Sequence, residues 1–261
     1  MQIGAQLYTV YKHTQTLEDL SATLKKVADI GYKAVQVSGT CAYEPEWLRD
    51  ELEKNGLKCV ITHIDPDRIV SETEKVVAEH RVFGCDRIGI GGMPVDMRGS
   101  LDGYIAFREK FLPAALKMRD LGAKLMYHNH SFEFKKLDGK NVIERIFEDF
   151  PEDSIDFTLD LGWAAFANED VLALIEKLKG RLSCIHLKDY ADKPEGAEMK
   201  ESAYLRPIYE GKLPYDDYIK ALAKAGCEYA LVEQDWDFGE DPFDCLRRSY
   251  DNVTKRFPEM K

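Results

Sequence analysis

The chain has 261 residues, 44% hydrophobic and 32% charged, the balance of an ordinary globular protein, and this length suits one large domain as well as two. Its net charge of -11 argues against nucleic acid, whose binders present dense Lys/Arg stripes to the phosphates. No apolar run reaches the roughly 20 residues of a membrane span, and "MQIGAQLYTV" lacks the basic-then-apolar order of a secretory signal, so a cytoplasmic protein without a membrane partner is expected.

Along the chain, short apolar segments alternate with amphipathic ones. "IGAQLYTV" (3–10) reads as a strand and leads to "TLEDLSATLKKVADIG", where Leu17, Leu20, Leu24 and Val27 share a helical face and Gly31 suits the C-cap. "KAVQVSG" (33–39) precedes "EPEWLRDELEKNG", which closes on Gly56. "KCVITHID" (58–65) precedes a helix expected from Pro66 to Phe83. "RIGIGG" (87–92) precedes the helix around "YIAFREKFLPAALKMRDLG", in which Pro113 suggests a kink. "AKLMYHNH" (123–130) leads to "NVIERIFEDF", and "IDFTLD" (155–160) to "DVLALIEKLKG". "RLSCIHLKD" (181–189) leads to a longer loop and "YDDYIKALAKAG", and "YALVEQD" (229–235) to "PFDCLRRSYDNVTKRF". The six cysteines are widely spaced with no CxxC pair, and Cys59 and Cys184 lie in apolar strand-like runs, which reads as buried thiols in a reducing compartment.

Eight strand-then-helix units with near-continuously apolar strands predict a parallel sheet covered by helices, and in 261 residues that is a single (β/α)8 TIM barrel, one domain over 1–261. A doubly wound open sheet usually has fewer strands. No βα turn carries GxGxxG or GxxxxGK[ST], and "GIGGMP" (89–94) reads as a tight turn.

In such a barrel the chemistry belongs at the C-terminal ends of the strands. These ends carry Gln6 and Tyr8, Ser38, His63 and Asp65, His128 and His130 followed by Glu133, Asp160, His186 with Lys188 and Asp189, and Glu233 with Asp235. Glu133, Asp160, His186 and Glu233 follow strands five to eight, so they neighbour one another around half the rim. Three carboxylates and an imidazole suit one divalent cation (Mn²⁺, Mg²⁺, Co²⁺ or Zn²⁺), and without it three close carboxylates could not all ionise. Each residue also has a plainer reading. Asp160 could cap the helix at "LGWAAF", a strand histidine could be a satisfied core residue, and Glu233 could pair with a Lys or Arg. His128 or His130 stands as an alternative to Glu133 for the strand-five ligand.

"YHNHSFEF", "FTLDLGW", "CIHLKDY" and "LVEQD", with "GAQLYTV" near the N-terminus, resemble the signature segments of the sugar phosphate isomerase/epimerase proteins among the xylose-isomerase-like TIM barrels. The resemblance extends over the whole chain. It implies a divalent cation held by Glu, Asp, His and Glu, falling here on Glu133, Asp160, His186 and Glu233, and in the epimerase members the two glutamates also move the proton. Two positions depart from the epimerases: Trp163 stands where they have a histidine, and Glu133 follows strand five instead of lying within it.

The expected activity is that of a metal-dependent isomerase or epimerase, which moves a proton alpha to a carbonyl of a sugar, keto-sugar or inosose through an enediolate. The same site would serve a lyase or dehydratase, and a non-catalytic sugar-binding barrel subunit is the third reading. Glu233 is the expected base and Glu133 its partner. His63, His128 and His130 would hydrogen-bond hydroxyls, Gln6 would join them, Lys188 would steady oxyanion charge, and Trp163 or Tyr8 would pack on a sugar ring. No Gly-rich anion loop is evident after strands seven and eight, which favours an unphosphorylated substrate. A phosphodiesterase of the endonuclease type would want several metals and a basic groove, and the chain's charge supplies neither. Homo-oligomerisation stays open.

Overall fold

Strict alternation of strand and helix yields eight parallel strands in one sheet. They are β1 (Gln2–Gln6), β2 (Ala34–Val37), β3 (Lys58–His63), β4 (Arg87–Ile90), β5 (Lys124–His128), β6 (Ile155–Thr158), β7 (Cys184–Leu187) and, after an antiparallel hairpin of β8 (Asp189–Ala191) and β9 (Tyr204–Arg206), β10 (Tyr229–Val232). The helices are α1 (Leu17–Ile30), α2 (Pro45–Asn55), α3 (Pro66–Ser71), α4 (Thr73–Val82), α5 (Leu101–Asp120), α6 (Val142–Asp149), α7 (Leu161–Phe166), α8 (Val171–Lys177), α9 (Tyr215–Ala225) and α10 (Pro242–Arg256). The structure, a computed structural model, describes residues 1–195 and 203–261.

Hydrogen bonding runs in the order β6-β5-β4-β3-β2-β1-β10-β7. The remaining seam, between β6 and β7, is closed by sparser bonds: Phe157 N donates to Arg181 O at 2.9 Å and His186 N to Leu159 O at 3.0 Å. Asp160 and His186 form a parallel bridge there. The result is the (β/α)8 barrel expected from the sequence, and its seam places an acid and a histidine side by side.

Side chains alternate along each strand, so every second residue faces the barrel interior. A layer containing Ala34, Val60, Met126, Cys184 and Leu231 fills it. Gly4 is required in that layer, because a Cβ there would lie 2.4 Å from Leu231 Cδ2 and 2.8 Å from Ala34 O. The larger core, with Phe107, Phe111, Tyr127 and Phe157, lies between sheet and helices. Above the apolar layer the inward positions turn polar, which sets the site at the C-terminal mouth.

One strand needs a correction of phase to join in. In β3 a β-bulge shifts the pairing, so that Val35 faces Cys59 but Gln36 faces Ile61. The extra residue re-aims the side chains beyond it. Thr62 turns outward to hydrogen-bond His80 Nε2 on α4 at 2.8 Å, and His63 turns inward.

Several local expectations are corrected. The first strand ends at Gln6, whose Oε1 accepts from Tyr8 N at 3.1 Å and starts a 3-10 stretch over Leu7–His13. The helix expected from Pro66 to Phe83 breaks at Glu72, which leaves helical geometry (φ -127, ψ 31). Ser71 and Thr73 hydroxyls on either side donate back to Asp67 O and Ile69 O, competing with the helix ladder. Leu17, in the first turn of α1, is 42% exposed, and Thr23 takes its place on the buried face. All six cysteines are free, five of them buried.

Candidate metal centre

Four polar residues on the rim converge. His128 ends β5, Asp160 follows β6, His186 lies in β7 and Glu233 follows β10, and one ligand atom of each lies within 4.8 Å of all the others. Atoms bound to one ion at ~2.0–2.4 Å can lie no further apart than about 4–5 Å, so the spread fits a single cation. All four residues are at most 5% exposed. His128 Nε2, Asp160 Oδ2, His186 Nδ1 and Glu233 Oε2 are each buried without a hydrogen bond of acceptable geometry. Four converging buried polar atoms without well-formed hydrogen bonds suit a cation as their common partner.

The surroundings prepare these atoms as ligands. His128 Nδ1 lies 3.1 Å from the Gly91 carbonyl, which only accepts, so the proton sits on Nδ1 and the Nε2 lone pair faces the site. His186 Nε2 donates to Gln36 Oε1 at 2.7 Å, leaving Nδ1 to face the carboxylates, 2.8 Å from Glu233 Oε2. Asp160 divides its oxygens: Oδ1 accepts from Trp163 N at 2.7 Å and caps α7, while Oδ2 faces the other ligands. The helix-cap reading and the ligand reading of Asp160 therefore both have an oxygen.

Lys188 stands against the same group. Its Nζ is 3.0 Å from Asp160 Oδ2, 3.0 Å from Glu233 Oε2 and 2.8 Å from Asp235 Oδ2, with 1% of the residue exposed. Burial disfavours its charge, but the three carboxylates outweigh that and hold its pKa well above the ordinary lysine value. Burial also favours protonation of Glu233, yet Lys188 and His186 keep its carboxylate well below the usual range. Burial would depress His186, but Glu233 and Asp160 raise it to about 9. One divalent cation beside the ammonium would balance the three carboxylates. With no ion, the His186 imidazolium carries part of that charge.

Above this group lies a cavity of about 410 Å³. Gln6, Tyr8, His63, His128, His130 and Trp163 all line it, as does Glu233. His63 Nε2, His130 Nδ1 and Trp163 Nε1 are buried there without partners. Burial, with neighbouring histidines, keeps His63 well below its ordinary pKa, and burial takes His130 to about 3, so both stay neutral. Tyr8 stacks on Tyr11, ring centres 5.0 Å apart. The Trp163 ring lies over Lys188 Nζ at 4.8 Å, and Lys188, almost fully buried behind it, is not among the residues that line the cavity.

Glu133 is the sequence-derived ligand that the fold does not bring to this group. Fully buried in the turn after β5, its Oε1 accepts from Tyr127 OH at 3.2 Å and its Oε2 from His130 N at 2.8 Å. Its carboxylate is thus used to fix the turn that carries His130, and burial raises its pKa. The strand-five position among the four is filled by His128, the alternative the sequence left open. Sequence reasoning missed Gln36, although a glutamine between two valines in "AVQVSG" was its signal. It also missed Arg98 and Trp236, which come from loops without a periodic pattern, and Tyr11, in the 3-10 stretch after β1, all three on the cavity wall.

Comparison with known proteins agrees with this fold. Inosose dehydratase of Clostridium perfringens (strain 13 / Type A) is 23% identical over 244 residues, covering 82% of each chain. A sugar phosphate isomerase/epimerase from Parabacteroides distasonis superposes with a TM-score of 0.80 at 20% identity, over 100% of this chain and 95% of the other. The probable 3-DHS dehydratase AsbF of Bacillus anthracis gives 0.74 at 15% identity, over 98% and 100%. The model of the xylose isomerase-like TIM barrel family matches residues 24–247, and the chain belongs to that family.

Proposed function

We propose that this protein is a divalent-metal-dependent enzyme that removes a proton alpha to a carbonyl of a sugar, keto-sugar or inosose. The observation that carries the reading is the convergence of four buried ligand atoms beside a buried lysine at the barrel mouth. His128, Asp160, His186 and Glu233 would hold the cation. Two imidazoles with two carboxylates favour Mn²⁺, Co²⁺ or Zn²⁺ over Mg²⁺. Bound there, the ion would polarise the carbonyl as a Lewis acid.

The chain's own residues supply the rest. Glu233, ionised and lining the cavity, takes the proton from the carbon. The Lys188 ammonium stabilises the charge that develops on the enediolate oxygen. His63 and His130, neutral with a free ring nitrogen, hydrogen-bond hydroxyls, and Trp163 offers Nε1–H and a ring face. Glu133 positions His130 and is not needed as a second proton carrier. Returning the proton from Glu233 to the neighbouring carbon would give isomerisation with no second proton carrier, whereas epimerisation would need an acid on the opposite face of the substrate.

Dehydration is the second reading, favoured by the inosose dehydratases among the relatives. The first step is the same, and a β-hydroxyl then leaves as water with the proton that Glu233 has taken from the carbon. The test is exchange of the substrate's α-proton in D₂O, followed by NMR over a panel of keto-sugars and inososes. Exchange that vanishes on chelation and returns with Mn²⁺ or Co²⁺ supports the proposal. Binding of a keto-sugar with no exchange of any proton overturns it in favour of a binding barrel.

A further inference from the structure

The loop between β4 and α5 is seated on the strand that carries His128. Gly91 O accepts from His128 Nδ1, and Gly92 (φ +143) lies so close to His130 that a Cβ there would be 3.1 Å from its ring. Further along the same loop Arg98 returns to the cavity wall. Its Nε donates to Met93 O at 2.7 Å, and its guanidinium carbon lies 4.5 Å from the centre of the Phe132 ring, in the turn after β5. A backbone acceptor on one edge and an aromatic platform on one face fix the plane of the guanidinium. Among the described residues no carboxylate oxygen comes within 4.0 Å of it.

The charge of the site makes this arginine conspicuous. Asp160, Glu233 and Asp235 all face Lys188, whose Nζ lies 2.8–3.0 Å from an oxygen of each. Arg98 is the one arginine or lysine among the described residues that line the cavity, and it is paired with neither of the lining carboxylates, Glu233 and Asp235. A pre-oriented guanidinium with its terminal nitrogens free presents two parallel N–H donors. That is the pattern which fits the two oxygens of a carboxylate or a phosphate.

We infer that Arg98 binds an anionic group, carboxylate or phosphate, on the part of the substrate not held at the metal centre, so that the substrate is a charged keto-sugar. The inference rests on the proposed keto-sugar reading of this site and narrows it. Arg98 is a binding and specificity residue here and takes no part in proton transfer.

The test uses D-fructose, D-fructose 6-phosphate and D-fructuronate, which share a ketone and differ at the far carbon. Binding to the Mn²⁺-loaded protein is measured by calorimetry for wild type, Arg98→Ala and Arg98→Lys. The expected result is that at least one charged sugar binds wild type about 10-fold or more tighter than D-fructose, the scale of a charge-assisted hydrogen-bonded pair. That preference should vanish in Arg98→Ala and weaken in Arg98→Lys, which keeps the charge without the fork. Which anion gains identifies the group. The inference is overturned if D-fructose binds as well as both charged sugars, if none of the three binds, or if the preference survives Arg98→Ala. Should Arg98→Ala fail to fold, Arg98→Lys and the wild-type ranking decide alone. Proton exchange is followed separately, so a charged sugar that binds through Arg98 without exchange refutes the proposed reaction and not the arginine's role.

Discussion

Replacing His128 and Glu133 in parallel separates the cluster seen in the fold from the ligand set implied by the family resemblance. A cation that binds the folded chain and not the unfolded one stabilises it by about 2.7 kcal/mol when present at 100 times its Kd. Unfolding entropy of ~2.1 cal/mol/K per residue gives about 0.55 kcal/mol/K for 261 residues, so the melting temperature should rise by about 5 °C. His128→Ala removes one of two nitrogen donors whose lone pair is already set by Gly91 O. A loss of ~100-fold in affinity would leave the metal at its Kd, a stabilisation of about 0.4 kcal/mol and a shift below about 1 °C. Glu133→Gln keeps the size of a side chain occupied by Tyr127 and His130 N, so it should lower the baseline melting temperature while preserving the metal-dependent rise. The assay is a thermal melt with and without Mn²⁺, Co²⁺ or Zn²⁺ at fixed protein concentration. The opposite pattern, a rise lost in Glu133→Gln and kept in His128→Ala, would refute the assignment of His128.

Metal affinity should depend on pH through His186, whose pKa is raised to about 9 in the cation-free protein. Only the deprotonated Nδ1 can ligate, so affinity should climb by about tenfold per pH unit between roughly 7 and 9 and then level off, as read by competition with a chelator. The sign for stability is the opposite: a raised folded-state pKa contributes stability that is full below about 6.5 and is lost as pH rises through about 9, which melts of the cation-free protein should show. Lys188→Met removes a like charge 3.0 Å from two ligand oxygens, so metal should bind more tightly while α-proton exchange falls by about 10²-fold. Weaker metal binding in that variant would mean that the lysine organises the ligands instead of competing with the ion.

The barrel was legible because its signal is periodic: eight apolar strands, each followed by an amphipathic helix, admit few other arrangements. Polar residues at strand ends located the mouth, and Asp160, His186 and Glu233 could be placed as neighbours from strand order alone. What the pattern could not show was the direction of side chains around the turn after β5. His128 is the last residue of its strand and points inward by alternation, whereas Glu133 falls in a short 3-10 turn where period two no longer applies. His63 shows the converse. Plain alternation from Val60 would have aimed Thr62 inward, and only the bulge at Val60 and Ile61 brings the histidine to the site. Arg98 and Gln36 escaped for a related reason, since their roles depend on a contact with a distant turn or strand, the Phe132 ring and the His186 imidazole, that no local pattern encodes.

The claim that Glu233 is both ligand and base is tested most directly by Glu233→Gln. The amide keeps the size and one oxygen donor and removes the proton acceptor. Metal should bind more weakly yet be recoverable at high concentration, as followed by calorimetry. At saturating Mn²⁺ or Co²⁺, exchange of the substrate's α-proton with D₂O should still fall by about 10²-fold or more, the scale of general-base catalysis. Full recovery of exchange once the metal is saturating would contradict the account and leave Glu233 as a ligand alone.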